Sequence, residues 1–404
     1  MAALLVRDLA GIVSPGGSDA PLRGPRLRDA SVTADAYVLC EEGRIVQVGS
    51  MADLPKLGQD VAELDGRGLC AIPGLVDCHT HACFAGDRLD EFDLRSGGAT
   101  YEELHAAGSG ILSTVRATRA AGRDGLAAAL KRHRGWMLEH GTTTFEAKSG
   151  YGLDRETELA MLSAIRDAGG VPTWLGAHAV PPEFSDADAY LAFALEVVLP
   201  EAAAIAEAAD VFLERGAFDV VQARRYLEAC RGADLELRLH ADQFTEAGGI
   251  PLAVELGARS VDHLEATGSE GVKTLAASDV TAVLLPAAAL YLDRPMPPGR
   301  ELIDAGAAVA LATDFNPGSA FCESLPVACS LACTQIGLSP AEALAACTVN
   351  AAHVLRRADR VGRIAAGYDA DLVLLDAPDW RYVAYHLGTD HVAAVVKAGE
   401  PVWP

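Results

Sequence analysis

The segment AIPGLVDCHTH, residues 71–81, is an apolar run that ends in two histidines two positions apart. An apolar run of this length predicts a buried strand. Side chains two positions apart on a strand point to the same face, so His79 and His81 are expected to project together. The segment therefore predicts both a structural element and a candidate site at its end.

Seven similar runs follow between residues 141 and 314. Most are separated by stretches rich in alanine, leucine and glutamate, such as 154–168 and 186–199, which are typical of helices. Strands alternating with helices predict an α/β fold with a parallel sheet. Eight such units favour a closed (β/α)8 TIM barrel over an open doubly wound sheet, the minority alternative. The eight runs are AIPGLVD, GTTTFEAK, VPTWLGAH, DVFLERG, LELRLHA, RSVDHL, VTAVLLP and AVALATD.

The two ends of the chain have a different pattern, because short strands replace the strand–helix alternation. AYVLC and RIVQVGS flank Glu41-Glu42-Gly43, and HVAAVVK and PVW flank Ala398-Gly399-Glu400; both arrangements predict hairpins. Neither end is large enough to bury a good core alone. We therefore expect residues 1–70 and 356–404 to form one small composite β-sandwich domain around a barrel of residues 71–355.

The composition is that of a globular protein with an acidic surface. Of 404 residues, 50% are hydrophobic and 22% are charged, and the formal net charge is −23. This charge disfavours nucleic acid and anionic membranes as partners, and an anionic substrate would need a local positive group. The nine cysteines are scattered, and neither a signal peptide nor an apolar run of membrane-spanning length is evident, so a cytoplasmic location is expected.

Several of the eleven histidines fall at the carboxyl ends of the predicted strands, where a barrel gathers its catalytic groups. His79, His81 and His240, with Asp314 after the eighth run, make a four-ligand set that suits one zinc or iron ion. As core histidines instead, these rings would be buried without an evident partner. A metal here would lower the pKa of a bound water, and Asp314 could take its proton. His263 could orient that water or shuttle its proton. A hydrogen-bonded core residue is an equally good interpretation of this single histidine.

Several longer runs resemble the imidazolonepropionase family of the amidohydrolase superfamily, from about Ile72 to Asn350. PGLVDxHTH is typical of the whole superfamily, whereas KSGYGLD, GAHAVP and TDFNPGS are more specific. The end segments, notably AGYDADLVLLD, resemble the composite β-domain of that superfamily. The remaining matching runs are PGLVDCHTHACFAGDR, EFDLRSGGATYEEL, STVRATRA, GTTTFEAKSGYGLD, HADQ and DHL.

The resemblance implies roles for individual positions. It assigns the metal to His79, His81, His240 and Asp314, and a fork for the substrate carboxylate to Arg88. His178 could polarise the ring carbonyl or hold the ring nitrogens. The substrate-lining positions that match are Arg88, Tyr151, His178, Gln243, Asn316, Gly318 and Ser319, the last three with donors that could also reach the carboxylate.

Two positions limit the mechanism. Some relatives carry glutamate where this chain has Gln243, and an amide cannot act as a general base, which leaves Asp314 and His263. Some superfamily members use a carboxylated lysine to bridge two metals. Lys148 is not at the expected strand, so we expect one metal, and a salt-bridge or positioning role for Lys148 beside Glu146.

The resemblance implies an enzyme of histidine degradation that opens the ring of 4-imidazolone-5-propanoate to N-formimino-L-glutamate, by attack of metal-bound hydroxide on the ring carbonyl. A deaminase or another cyclic amidohydrolase is the alternative, but a neutral nucleobase needs no carboxylate clamp such as Arg88. A non-enzymatic metal-binding scaffold is disfavoured by the complete ligand set. The residue types are compatible with either zinc or iron. The oligomeric state also stays open, with a homodimer as one option.

Overall fold

A computed structural model describes residues 3–17, 20–58, 60–98 and 110–404. Its strands form two eight-stranded sheets, one parallel and one mixed. Residues 99–104 of the EFDLRSGGATYEEL run lie outside the described residues.

Each of the eight predicted runs overlaps one strand of the parallel sheet, which confirms the predicted barrel. The first run is divided, because its residues 71–73 belong to a strand of the mixed sheet. The strands pair in sequence order from β6 to β13, and each is buried along nearly its whole length. Burial on both faces explains why these runs are continuously apolar rather than alternating. The strands are β6 (Leu75–Asp77), β7 (Thr142–Lys148), β8 (Val171–Ala177), β9 (Ala208–Leu213), β10 (Glu236–Ala241), β11 (Ser260–His263), β12 (Thr281–Leu284) and β13 (Ala308–Leu311).

The barrel closes between its first and last strands just beyond their carboxyl ends. Thr80 and Phe315 form an isolated parallel bridge. The Asp314 amide donates to the His79 carbonyl at 3.0 Å, and the His81 amide donates to the Phe315 carbonyl at 2.9 Å. The backbone that closes the barrel therefore also carries three of the four predicted metal ligands.

Helices cover the outside of the barrel and follow its strands. The helix after β7 begins at an Asp154 cap, whose carboxylate accepts from the Thr157 amide at 2.7 Å. None of the described helices is long and apolar enough to cross a membrane. The helices are α1 (Leu89–Ser96), α2 (Ile111–Glu139), α3 (Arg155–Asp167), α4 (Ala187–Phe193), α5 (Leu199–Ala202), α6 (Val220–Gly232), α7 (Gly249–Leu256), α8 (Ser269–Ala276), α9 (Pro286–Tyr291), α10 (Gly299–Ala305), α11 (Leu325–Leu331), α12 (Pro340–Ala345), α13 (Ala351–Val354) and α14 (Tyr382–Tyr385).

The second sheet joins the two ends of the chain, as predicted. Its link is the antiparallel pairing of β5 with β14, in which Leu372 faces Pro73 and Leu375 faces Cys70. Its strands are β1 (Ala3–Pro15), β2 (Ala30–Glu41), β3 (Arg44–Ser50), β4 (Val61–Asp65), β5 (Cys70–Pro73), β14 (Leu372–Leu375), β15 (Val392–Lys397) and β16 (Glu400–Trp403).

Both predicted hairpins are confirmed in this sheet. The β2–β3 turn has Glu42 at φ 50° and Gly43 at φ 79°, and the β15–β16 turn has Ala398 at φ 49° and Gly399 at φ 77°. Two consecutive residues with positive φ match the right-handed twist of the flanking strands. Local sequence thus accounts for both turns.

Candidate metal centre and substrate site

The four predicted metal ligands converge at the barrel mouth, and all four are buried. His79 and His81 follow β6, His240 lies in β10, and Asp314 follows β13. Asp314 Oδ1 lies 3.5 Å from both His79 Nε2 and His81 Nε2. The Nε2 atoms of His81 and His240 are 3.3 Å apart. Residues distant in sequence therefore direct their side-chain donor atoms toward one point.

These donor atoms fit a transition-metal ion. Among the described residues, His79 Nε2 and Asp314 Oδ1 are buried and have no hydrogen-bond partner. Buried polar atoms without a partner are costly, and several around one point call for a cation. Imidazole nitrogen with carboxylate oxygen is a donor set that zinc and iron accept.

Two buried aspartates orient the ligand imidazoles. His79 Nδ1–H donates to Asp262 Oδ2 at 2.6 Å, and His240 Nδ1–H donates to Asp210 Oδ1 at 3.0 Å. Because each Nδ1 holds the proton, each Nε2 presents a lone pair. Sequence reasoning missed both aspartates, although a charged residue inside an apolar run was an available signal.

Lys148 lies among the carboxylates that surround the ligand histidines and is completely buried. Its Nζ is 2.8 Å from Glu146 Oε1, 2.8 Å from Asp210 Oδ2 and 3.8 Å from Asp262 Oδ2. Burial by itself lowers the pKa of the Lys148 ammonium, but the carboxylates of Asp210, Glu146 and Asp262 outweigh burial and raise it. Lys148 is therefore held as a cation.

Asp314 and His263, the two candidate proton acceptors, both have positive φ, 57° and 87°. Burial raises the pKa of the Asp314 carboxyl to about 6. His263 Nδ1 lies 3.3 Å from Glu265 Oε1, and its ring centroid is 5.7 Å from that of His79. Burial lowers the pKa of His263, but Glu265 and Asp314 outweigh it, and the pKa is raised. Sequence reasoning missed Glu265.

His178 and Tyr151 lie beside the ligand histidines. The ring centroids of His178 and His81 are 5.3 Å apart, as are those of His178 and Tyr151. His178 Nδ1–H donates to the Gly150 carbonyl at 2.9 Å. Burial lowers the pKa of His178 to about 3, so its Nε2 presents a lone pair.

Glu158, another residue missed from the sequence, holds the loop that carries Tyr151. Its carboxylate accepts the backbone N–H groups of Gly150 at 3.0 Å, Gly152 at 2.8 Å and Leu153 at 2.9 Å. A Cβ on Gly152 would lie 2.7 Å from the Glu158 amide nitrogen, so only glycine fits there. Glu158 reads as an ordinary helical glutamate, and the sequence carried no signal for this role.

Arg88 reaches across the mouth to the loop after β13. A Cβ on Gly318 would lie 1.9 Å from Arg88 Nη1, so the guanidinium rests on the bare glycine backbone. Glu91, which sequence reasoning also missed, accepts from Arg88 Nε at 2.9 Å and Nη2 at 2.6 Å, and from the Gly110 amide at 2.7 Å. The i,i+3 spacing of Arg88 and Glu91 was an available signal.

The loop of Asn316, Gly318 and Ser319 uses most of its donors internally. Asn316 Oδ1 accepts the amides of Gly318 and Ser319 at 2.8 Å each, and Asn316 Nδ2 donates to the Asp314 carbonyl at 2.6 Å. Ser319 Oγ donates to Asp314 Oδ2 at 3.3 Å. The loop therefore orients Asp314. Gln243 is buried three residues after His240.

The fold is shared with solved amidohydrolase structures. An adenosine deaminase from Xanthomonas campestris with bound zinc superposes with a TM-score of 0.73 at 19% identity, over 98% of this chain and 92% of that one. E. coli guanine deaminase superposes with the same TM-score, 0.73, at 15% identity, over 100% of this chain and 99% of that one. At these identities the likeness concerns the fold alone.

Sequence comparison is more specific. Residues 70–402 match the Amidohydrolase family, whose members are metal-dependent. The imidazolonepropionase of Rubrobacter xylanophilus is 62% identical, over 98% of this chain and 97% of the relative. That of Herpetosiphon aurantiacus is 46% identical, over 98% and 96% respectively. The chain therefore belongs to the imidazolonepropionase family of the amidohydrolases.

Proposed function

We propose that this chain hydrolyses the ring amide of 4-imidazolone-5-propanoate to N-formimino-L-glutamate, a step of histidine degradation. The strongest support from the geometry is the juxtaposition of a metal-type donor set with one arginine. The Arg88 guanidinium rests on Gly318, which follows the ligand Asp314 by four residues. A neutral ring with a carboxylate tail matches this pair of features.

One zinc or iron ion per chain would be held by His79, His81, His240 and Asp314. Such an ion lowers the pKa of a coordinated water and polarises a carbonyl oxygen, which is the chemistry that amide hydrolysis needs. The anchoring of His79 by Asp262 suits this role, because the Nε2 lone pair stays available.

Arg88 binds the propionate carboxylate. Its Nε and Nη2 donate to Glu91, which leaves the N–H groups of Nη1, beside Gly318, as the donors available to the carboxylate. The amides of Gly318 and Ser319 already donate to Asn316, so this loop supports the clamp by cradling Arg88 rather than by donating to the carboxylate. Glu91 sets the orientation of the guanidinium.

His178 and Tyr151 orient the ring. Because His178 Nδ1–H donates to the Gly150 carbonyl, its Nε2 accepts a ring N–H, and it has no Nε2 proton with which to polarise the ring carbonyl. Burial raises the pKa of the Tyr151 hydroxyl, which therefore stays protonated and can donate.

Asp314 moves the proton. Its buried carboxylate lies 3.5 Å from the Nε2 atoms of His79 and His81, beside the point where the attacking water would be held. The water oxygen bonds to the ring carbonyl carbon, and Asp314 takes the water proton. As the carbonyl carbon–nitrogen bond breaks, Asp314 gives that proton to the departing ring nitrogen. His263, held by Glu265, orients the water.

The test is turnover of freshly generated imidazolonepropionate without oxygen, with mass detection of formiminoglutamate. We expect product from the metal-loaded protein, loss of product after chelation, and recovery when zinc or iron is restored. A protein shown to contain its metal that yields no formiminoglutamate would overturn the substrate. Full turnover after complete metal removal would overturn the metal centre.

A further inference from the structure

Lys148 is the buried cation nearest to the residues that anchor the metal ligands. Its ammonium lies 2.8 Å from Asp210 Oδ2 and 3.8 Å from Asp262 Oδ2. These two aspartates accept the Nδ1 protons of His240 and His79 respectively. One lysine therefore contacts both supports of the metal shell.

Arg238 provides an internal comparison, because it is a second buried cation in the same network. Its Nη1 lies 2.9 Å from Glu146 Oε1 and 3.1 Å from Thr173 Oγ1, and its Nη2 donates to the Val354 carbonyl at 3.3 Å. Glu146 also accepts from Lys148 at 2.8 Å. Among the described residues, Arg238 forms no hydrogen bond or ion pair with either anchoring aspartate, and its charge acts on Asp262 only at longer range. The two cations therefore share one carboxylate but differ in what else they hold.

The two aspartates need a cation between them. Side-chain donor atoms of His79, Asp210 and Asp262 lie within 4.8 Å of one another, a grouping that would itself suit a metal ion. Two carboxylates this close repel each other strongly in a buried site. Without a cation they would move apart, and each would rotate the imidazole that it anchors.

We propose that Lys148 is a positioning residue: its ammonium takes the place of a second cation and holds Asp210 and Asp262, so that His240 and His79 keep their Nε2 atoms on one metal ion. This inference rests on the metal centre proposed above, but not on the identity of the substrate. It also explains why a single ion suffices: the second group of donors is already occupied by the protein's own cation.

The experiment compares Lys148→Met with Arg238→Met, since each removes one buried cation from the same network. Metal content and the rate of metal release to a chelator are measured beside the thermal midpoint of the metal-free proteins. We expect Lys148→Met to release metal roughly 10- to 100-fold faster than the wild type, the usual effect of losing an outer support of metal ligands. Arg238→Met should lower the thermal midpoint comparably but release metal within about threefold of the wild-type rate.

Lys148→Gln covers the case in which methionine prevents folding, because its amide keeps one donor for Asp210 but no charge. Faster release from this variant supports the proposal, and a wild-type rate from either Lys148 variant overturns it. Equal acceleration in Arg238→Met also overturns it, since the effect would then be general destabilisation. Two ions per wild-type chain at saturating metal would exclude Lys148 as the second cation. A wild type that binds no metal would instead overturn the centre itself.

Discussion

The composite sheet and the barrel mouth reach unusual backbone conformations for opposite reasons. In the two hairpins of the sheet, positive φ falls on Gly43 and Gly399 and their neighbours, where the two-residue turns require it. At the mouth, positive φ falls on His263 and Asp314, where no such turn requires it. The unusual backbone conformation of these two residues is therefore explained by the site, which needs their side chains to point inward, and not by a local turn.

The two regions also differ in how polar groups are satisfied. In the sheet, Lys397 pairs with Asp371 at 2.6 Å beside a packed apolar face. At the mouth, His79 Nε2 and Asp314 Oδ1 remain without a partner. These two atoms lie 3.5 Å apart and face one point, an arrangement that suits a ligand. Function and stability should therefore respond separately to mutation in the two regions.

The largest expected effect comes from removing a ligand at the mouth. His240→Ala should reduce kcat by at least about 10³-fold and lower bound metal well below one ion per chain, because the shell loses a donor. Elemental analysis and steady-state kinetics check both, with circular dichroism to show that the fold is kept. A kcat within tenfold of wild type would remove His240 from the centre.

Arg88→Met separates binding from chemistry within the mouth. Loss of a charge-assisted contact should raise KM by about 10- to 100-fold with a smaller change in kcat. An analogue without the propionate carboxylate is the control, since its KM should not respond to the substitution. Equal sensitivity of both compounds would mean that Arg88 supports the loop and does not bind the carboxylate.

Glu158→Gln tests whether the loop of Tyr151 depends on one buried carboxylate. Weaker acceptance of the Gly150, Gly152 and Leu153 amides should lower kcat/KM about tenfold and the free energy of unfolding by about 1–3 kcal/mol. Glu156→Gln, an exposed position on the same helix, is the matched control and should change neither. Denaturant titration measures the change in the free energy of unfolding of both variants, and steady-state kinetics measure the change in kcat/KM.

Gly399→Ala should affect the composite sheet alone. Alanine at φ 77° costs about 1–2 kcal/mol in the free energy of unfolding, while kcat and KM should stay at wild-type values. Gly58→Ala is the control, because a Cβ there meets nothing within 4 Å and its φ is not positive. Altered kinetics in Gly399→Ala would show that the two regions are not separable.

His140 tests a contact between the barrel and the composite sheet. Its ring pairs with Asp390, which precedes β15, and with Glu323 at 3.6 Å, and these carboxylates raise the pKa of His140 to about 9. A raised pKa stabilises the folded state fully below the unfolded value near 6.5 and loses this contribution as pH rises through about 9. The free energy of unfolding should fall between about pH 6 and pH 10. This fall should be larger in wild type than in His140→Gln by up to about 1 kcal/mol. An equal fall of the unfolding free energy in wild type and in His140→Gln would contradict the prediction that His140 stabilises the fold through its carboxylate partners.

Much of the fold was predictable because its signals are local or repeated. An apolar run identifies a strand, and a short turn segment such as Glu42-Gly43 identifies a hairpin, each from a few neighbouring residues. The four ligand positions followed from a topological rule, since the carboxyl ends of barrel strands meet. Asp210, whose partner His240 lies 30 residues away, was marked only by its charge inside an apolar run, and Glu158 resembled an ordinary helical glutamate.

The sequence by itself determined the barrel, the composite sheet and, through family motifs, the substrate class, and it predicted a candidate set of metal ligands. Only the tertiary structure decided which groups support the candidate metal ligands: Asp262 behind His79, Asp210 behind His240, and Lys148 among the carboxylates. The physical reason is range. Strand and turn preferences act over a few residues, whereas the direction of a buried proton or lone pair depends on side chains that meet only when the barrel closes.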